Sequence, residues 1–530
     1  MSTDKKQTFM KGALILMIAN IIVKVIGAAF KIPLTYILGE EGMALFSTSY
    51  NVYTWLFIVA TAGIPVAISR MISETRAKGN FAEVEKIRKV SFSLLFVIGI
   101  AGTAILFFGA EAFAKLLDNP DAKLGIMAIS PAILFVSFMS AYRGYFQGHQ
   151  NMLPTAVSEV SEAVGKLVIG FVCAYMFVSK GVIYSSAGAV FGVAMGGLLG
   201  FATLFIAFLR KKPNKEQSRG FSRSNGTILK ELIVIAVPIT LGASVFSLTS
   251  LIDVAMIMRN LRSSGFSYQE AKILYGSYTG YAVPLFNLPP TLISAITISI
   301  VPTIAKALAQ KDMKTARQNA STSLQITLLF SLPCAVGMSV LSKPILDLVY
   351  NNTNASSTLA VLAVAIVFVS LVMVTNAVLQ SAGKERVPVI NMLIGGVVKI
   401  LINNYLVKNP DINILGAPIG TISCYAVILV LNMITIVRVI KLDFPFVQNI
   451  LKPVVSAGLM GVCSYFVFDF ASPLGSKIAL IVSIASAVVV YGVSLLIMKG
   501  ITEELLLSVP GLSRFAPILK KLRLIKAEDR

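Results

Sequence analysis

Apolar runs of roughly 20 residues, the length a helix needs to cross a bilayer, recur along this chain from near residue 11 to near residue 498, with short charged connections between them. Backbone amides and carbonyls find no water inside hydrocarbon, so each run must satisfy them internally as an α-helix. The 530 residues are 56% hydrophobic and 13% charged, with a mean hydropathy of +0.81, well beyond a soluble globular chain. The expected fold is therefore an all-α polytopic membrane protein with about fourteen transmembrane helices.

Spans are expected near 11–37, 45–69, 90–110, 154–178, 183–209, 231–257, 276–305, 387–407 and 414–437, among others. The first apolar run is too long for a signal peptide's core and is read as the first membrane helix. Lysine and arginine concentrate on the cytoplasmic side of membranes. With the N-terminus inside, 33 of the 46 fall in inner loops and tails and 9 in outer loops, so both termini are expected in the cytoplasm.

The chain repeats itself. Pro154 and Lys166 in one helix match Pro388 and Lys399 in another, at offsets of 234 and 233 positions. The loop from Ala77 to Phe81 resembles that from Ala309 to Met313. Two related six-helix lobes follow, 1–210 and 231–440, joined by a cytoplasmic linker at 211–230, with two extra helices in 441–498 and a basic cytoplasmic tail at 499–530. Parallel repeats of this kind place substrate near the bilayer midplane at the lobe interface.

Four lysines, Lys24, Lys31, Lys166 and Lys399, lie inside apolar stretches. A lysine at the bilayer centre costs about 2.5–3.5 kcal/mol even on the translocon scale, so such residues normally face a watery cavity or an anion. In the first helix Asn20, Lys24, Gly27, Lys31 and Thr35 fall on one face. Asn51, Thr54, Thr61 and Pro65 form a stripe on the second helix, Glu159, Glu162 and Lys166 on the fifth, and Asn391, Gly395, Lys399 and Asn403 on the eleventh. These helices are expected to line one cavity, with Ser247, Ser250 and Asp253 added from the seventh. Glu162 and Lys166 also suit a neutralised i, i+4 pair that only joins helices. Pro284, Asn287, Pro289 and Pro290 must break or bend the eighth helix.

Other classes find less support. Cys173, Cys334, Cys424 and Cys463 lie in apolar runs without CxxC spacing, and the single His149 has no ligand partners in its turn, so no metal or other cofactor is expected. The net charge of +21 is read as topology and attraction to anionic membrane lipids, not nucleic-acid binding. Leu512–Lys526 reads as a basic amphipathic helix on the inner surface.

The stretch Tyr142-Arg143-Gly144-Tyr145-Phe146-Gln147-Gly148-His149-Gln150-Asn151-Met152-Leu153-Pro154-Thr155-Ala156, with the fourteen-helix layout, resembles the polysaccharide biosynthesis branch of the multidrug/oligosaccharidyl-lipid/polysaccharide exporter superfamily. Within it the chain is similar to the stage V sporulation protein B and YtgP group, related to the MurJ lipid II flippases. The resemblance implies a V-shaped pair of lobes in the bacterial cytoplasmic membrane, moving an undecaprenyl-pyrophosphate-linked saccharide, most of all lipid II, by alternating access. It implies a transporter and not an enzyme, and a monomer is expected. Lys24 matches the family's cationic cavity pattern through Lys24-Val25-Ile26-Gly27, and Lys31 matches the next basic residue with a one-residue shift. Lys24, Lys31, Lys166 and Arg259 are the expected pyrophosphate ligands, and Asn20, Asn51, Glu159, Glu162, Asp253, Lys399 and Asn403 the polar and coupling residues. The family's sodium site maps to Asp253, the Lys399–Asn403 turn and Thr421, where the lysine ammonium suits an internal counter-ion better than sodium.

A diphosphate needs cations in a partly low-dielectric cavity, which paired lysines on one stripe supply. A drug exporter of the same superfamily would line its cavity with carboxylates and aromatics. A membrane-embedded glycosyltransferase or polymerase would want a catalytic domain and a phosphate or metal motif, neither of which the loops hold.

Overall fold

The computed structural model describes residues 9–210, 223–442, 444–445 and 447–500. Leu512–Lys526, most of the expected linker and of the basic tail, and the side chains of Ser247 and Ser250 lie outside what is described. The described chain is helical with short connections and divides after Gly280 into two compact units.

The first unit contains α1 (Phe9–Thr61), α2 (Ile64–Ala77), α3 (Phe81–Leu116), α4 (Lys123–Ile129), α5 (Pro131–Gly148), α6 (Leu153–Met176), α7 (Val182–Leu209), α8 (Asn225–Ser263) and α9 (Tyr268–Ser277). The sequence suggests two helices where α1 runs, and the junction is a single residue. Gly39 adopts φ +61° and ψ −170° with no atom near its missing Cβ, so the glycine is needed for its backbone conformation and not for space. The second predicted helix also ends early, at Thr61, and α2 restarts with Pro65 in its first turn, where a proline lacking its amide is tolerated. α3 begins nine residues before the apolar run at 90, because Asn80 caps it by accepting from the Glu83 amide at 3.3 Å.

α6 and α7 pack backbone to backbone. A Cβ on Gly192 would stand 2.1 Å from Gly170 Cα, and one on Gly196 would stand 2.6 Å from the Glu162 carbonyl. Small residues at such a seam let membrane helices approach closely. The same absence at Gly170 leaves room for the Phe30 ring of α1, which would meet an added Cβ at 3.0 Å.

The second unit holds α10 (Val283–Phe286), α11 (Leu288–Ala309), α12 (Met313–Val340), α13 (Ser342–Tyr350), α14 (Ser356–Ser381), α15 (Arg386–Leu406), α16 (Gly416–Ile440), α17 (Lys452–Ala471) and α18 (Ser476–Ile497). The predicted eighth helix is broken, as its prolines require: α9 gives way to a π turn at Tyr278–Ala282, then to α10, and α11 restarts around Pro289 and Pro290. The core of this unit joins Ile293, Leu324, Val374, Leu379, Ile436 and Ala457. Beside it lies a cavity of about 400 Å³, lined only by apolar residues such as Leu328, Phe368, Met433 and Phe444.

Ten segments among the described residues are long and apolar enough to cross a membrane, with α1 counted once. Dividing α1 at Gly39 and adding α6, α8 and the broken α9–α11 segment brings these to the about fourteen crossings expected from the length rule. Phe108 and Phe470 are 84% and 90% exposed, as suits side chains whose solvent is lipid. The chain is a multi-pass membrane protein.

Candidate functional site

The first unit brings Lys31 and Lys166 onto neighbouring helices: the Lys166 ammonium of α6 lies over the ring of Phe30, the residue that precedes Lys31 on α1. Lys31 lies on α1's polar stripe two turns after Lys24, and Lys166 lies in the middle of α6. Among the described residues no carboxylate is within ion-pair distance of Lys31 or Lys166. Aromatic rings take that place. The Lys166 ammonium sits 4.5 Å from the Tyr50 ring centroid and 5.4 Å from that of Phe30, and donates to the Tyr50 hydroxyl at 3.4 Å. A ring quadrupole attracts a cation without cancelling its charge.

The suggested pair between Glu162 and Lys166 does not form. Glu162 Oε2 accepts from Arg143 Nη2 of α5 at 2.9 Å, and Arg143 Nε also donates to Ser158 Oγ at 3.2 Å. An i, i+4 neighbour on an exposed helix gains only about 0.3–0.5 kcal/mol, and here it loses to a forked guanidinium between helices. In the sequence Arg143 stands only as an inner-loop charge and as part of the Tyr142–Ala156 stretch, with no role at the site. Glu159, one turn before Glu162 on α6, is half-buried, and Tyr53 of α1 is buried.

The remaining candidates are placed as follows. Lys24 and Asn20 are on the exposed side of α1, with the Asn20 amide donating to the Leu16 carbonyl. Asn51 is half-buried. The hydroxyls of Thr35, Thr54 and Thr61 donate to carbonyls of their own helix. Asp253 is half-buried in α8, and Arg259 is exposed near the end of that helix.

In the second unit the α15 stripe turns toward α16. Lys399 and Asn403 are buried, and a Cβ on Gly420 would collide with the Asn403 side-chain oxygen at 2.0 Å. Asn391 donates to Asn432 at 2.8 Å, and Asn432 donates to Thr375 at 3.0 Å and Asn376 at 2.7 Å. This polar ring joins α14, α15 and α16, and Asn432 had given no sign of itself in the sequence beyond being one amide in an apolar run. His149 caps the end of α5 and bonds the Tyr145 carbonyl at 2.9 Å, and no cluster of three potential metal ligands occurs among the described residues.

A second charged cluster went unread in the sequence, where Lys272 counted only as an outer-loop charge. Lys272 of α9 is fully buried and contacts Glu41 at 2.6 Å and Asp121 at 2.9 Å, with the Tyr268 ring 4.8 Å away. The Tyr268 hydroxyl donates to Asn119 at 2.8 Å and to Asp121 at 3.0 Å.

The "Polysaccharide biosynthesis protein" profile matches residues 9–308, and the MatE profile matches residues 277–405. The chain is similar to stage V sporulation protein B of Bacillus subtilis (strain 168), 26% identical over 96% of this chain and 99% of that one. It is similar also to lipid II flippase MurJ of the same organism, 28% identical over 78% of this chain and 80% of that one. The solved structure of lipid II flippase MurJ in its inward closed conformation superposes with a TM-score of 0.70 at 14% identity, covering 92% of this chain and 99% of the other, which shows the shared fold.

Proposed function

Since the chain belongs to the polysaccharide biosynthesis protein family, whose profile spans more than half of it, we propose that it is a flippase carrying an undecaprenyl-pyrophosphate-linked saccharide, most of all lipid II, from the inner to the outer leaflet. The observation that carries this reading is the Lys166 ammonium seated against the Tyr50 and Phe30 rings, next along α1 to Lys31, with no carboxylate within ion-pair distance of either lysine among the described residues. Two uncompensated cations in a partly low-dielectric site suit a diphosphate, which brings about two negative charges. The names of the relatives, a lipid II flippase among them, support the substrate class.

In this reading Lys24 meets the anion first from the exposed side of α1, and Lys31 and Lys166 hold it. The prenyl tail stays in lipid. The protein moves between inward and outward states without covalent chemistry, in the cytoplasmic membrane of a bacterium, with both termini inside and as a monomer. Reconstituted into liposomes with lipid II in both leaflets, it should speed exchange of the headgroup between leaflets. In the source bacterium, depletion should cause one undecaprenyl-linked precursor to accumulate inside. If depletion leaves every such precursor at its normal level, the reading is lost.

The MatE profile at 277–405 favours a second reading, export of a small molecule. Uptake of a cationic dye into inverted vesicles, with no effect on lipid II exchange, would establish it instead.

A further inference from the structure

Glu162 and Lys166 are one helical turn apart on α6, the spacing at which a carboxylate and an ammonium readily pair. Such a pair would place an internal anion where the proposed substrate anion must go. The structure holds them apart from both sides. Arg143, on α5, takes the Glu162 carboxylate at 2.9 Å and is steadied by Ser158 at 3.2 Å. Phe30 and Tyr50, on α1, receive the Lys166 ammonium. Phe30 is only 2% exposed and reaches the ammonium because Gly170 has no side chain to exclude it. Tyr50 is stacked on Phe46 with centroids 5.7 Å apart, so its ring is fixed too.

We propose that Arg143 is a positioning residue of the anion site: it sequesters Glu162, so that Lys166 stays uncompensated and available to the substrate's pyrophosphate. This rests on the reading of Lys31 and Lys166 as the anion site, and it gives the Arg143 of the Tyr142–Ala156 motif a role that does not require it to touch substrate. Without Arg143, Glu162 is free to rotate to Lys166 and occupy the site as a built-in competitor. Glu159 cannot take over, since at seven residues from Lys166 it lies about two turns away along the helix.

The test is calorimetric titration of the purified full-length protein with geranyl pyrophosphate, which reports Kd and the binding-competent fraction separately. A structural defect lowers the competent fraction and leaves Kd where it was. Arg143→Met is expected to raise Kd by about tenfold or more, the order produced by leaving a charge beside the wrong partner. Arg143→Met combined with Glu162→Gln is expected to return Kd to near the native value, because the competitor is gone. Where Arg143→Met yields no folded protein, Arg143→Gln serves with the same two outcomes. An unchanged Kd in the single variant overturns the proposal, and so does a double variant as weak as the single. Lys31→Met and Lys166→Met separate the two levels of the argument. If both bind as tightly as the native protein, the anion-site reading itself fails and the proposal with it; if both lose binding while Arg143→Met keeps it, the site stands and the role of Arg143 falls.

Discussion

Lys272 Nζ lies 2.6 Å from Glu41 Oε1 with only 1% of its side chain exposed, so a positive charge on α9 is locked to α1 just beyond Gly39. Asp121 closes the cluster from the other side at 2.9 Å. A buried ion pair contributes less than its geometry suggests, but removing one member strands the other. Lys272→Met should therefore lower the thermal midpoint of the detergent-solubilised protein. Glu41 and Asp121 keep 37% and 31% of their side chains exposed, which limits the loss to about 1–3 kcal/mol. Adding Glu41→Gln and Asp121→Asn should recover most of it, and a triple variant less stable than the single would show that the cluster holds α9 by packing and not by charge.

The α6–α7 seam gives a sharper steric prediction. Gly192 faces Gly170 with no room for a Cβ, and Phe30 packs on the same Gly170. Gly192→Ala should destabilise by about 1–3 kcal/mol, the usual range for overpacking. It should also weaken pyrophosphate binding, while Gly27→Ala, at a glycine with nothing near it, should change stability little. Equal thermal midpoints for Gly192→Ala and the native protein would mean that the seam is looser than these distances imply.

How far the sequence could be read follows from which interactions are local. The span lengths, the break around Pro284–Pro290 and the stripe of Lys24 and Lys31 depend on residues adjacent on one helix, and periodicity reports those directly. Hydropathy placed the start of α3 late because a capping asparagine extends a helix past its apolar run. It put Lys272 in a loop because an apolar window sees a lysine as an edge, although the fold buries it between two carboxylates. Arg143 and Glu162 lie on different helices, as do Asn391 and Asn432, and nothing in the spacing of either pair announces the meeting. Phe30 and Tyr50 were invisible as cation ligands for a related reason: an aromatic residue in a membrane helix ordinarily faces lipid or core.

Orientation is open to direct measurement. Cysteines placed between α7 and α8 should resist impermeant thiol reagents in intact cells, and a cysteine replacing Ser264, which caps the end of α8, should be labelled. The charge asymmetry of the loops underlies this expectation. Labelling in the opposite pattern would reverse the sidedness of the site and the direction of transport.

Lys24 is the remaining cation of the α1 stripe and differs from Lys31 in being exposed. If it meets the anion first, its charge matters more than its shape. Lys24→Ala should abolish lipid II exchange in liposomes while leaving insertion and thermal stability close to native, because substitutions of exposed side chains usually change stability by only about 0.5 kcal/mol. Lys24→Arg should keep exchange, since a guanidinium retains the charge and adds a fork suited to phosphate. The two substitutions together distinguish attraction from packing. An alanine variant with full exchange takes Lys24 out of the site, whereas an arginine variant as inactive as the alanine one would mean that the site needs the compact ammonium itself and that positive charge on α1 alone does not capture the substrate.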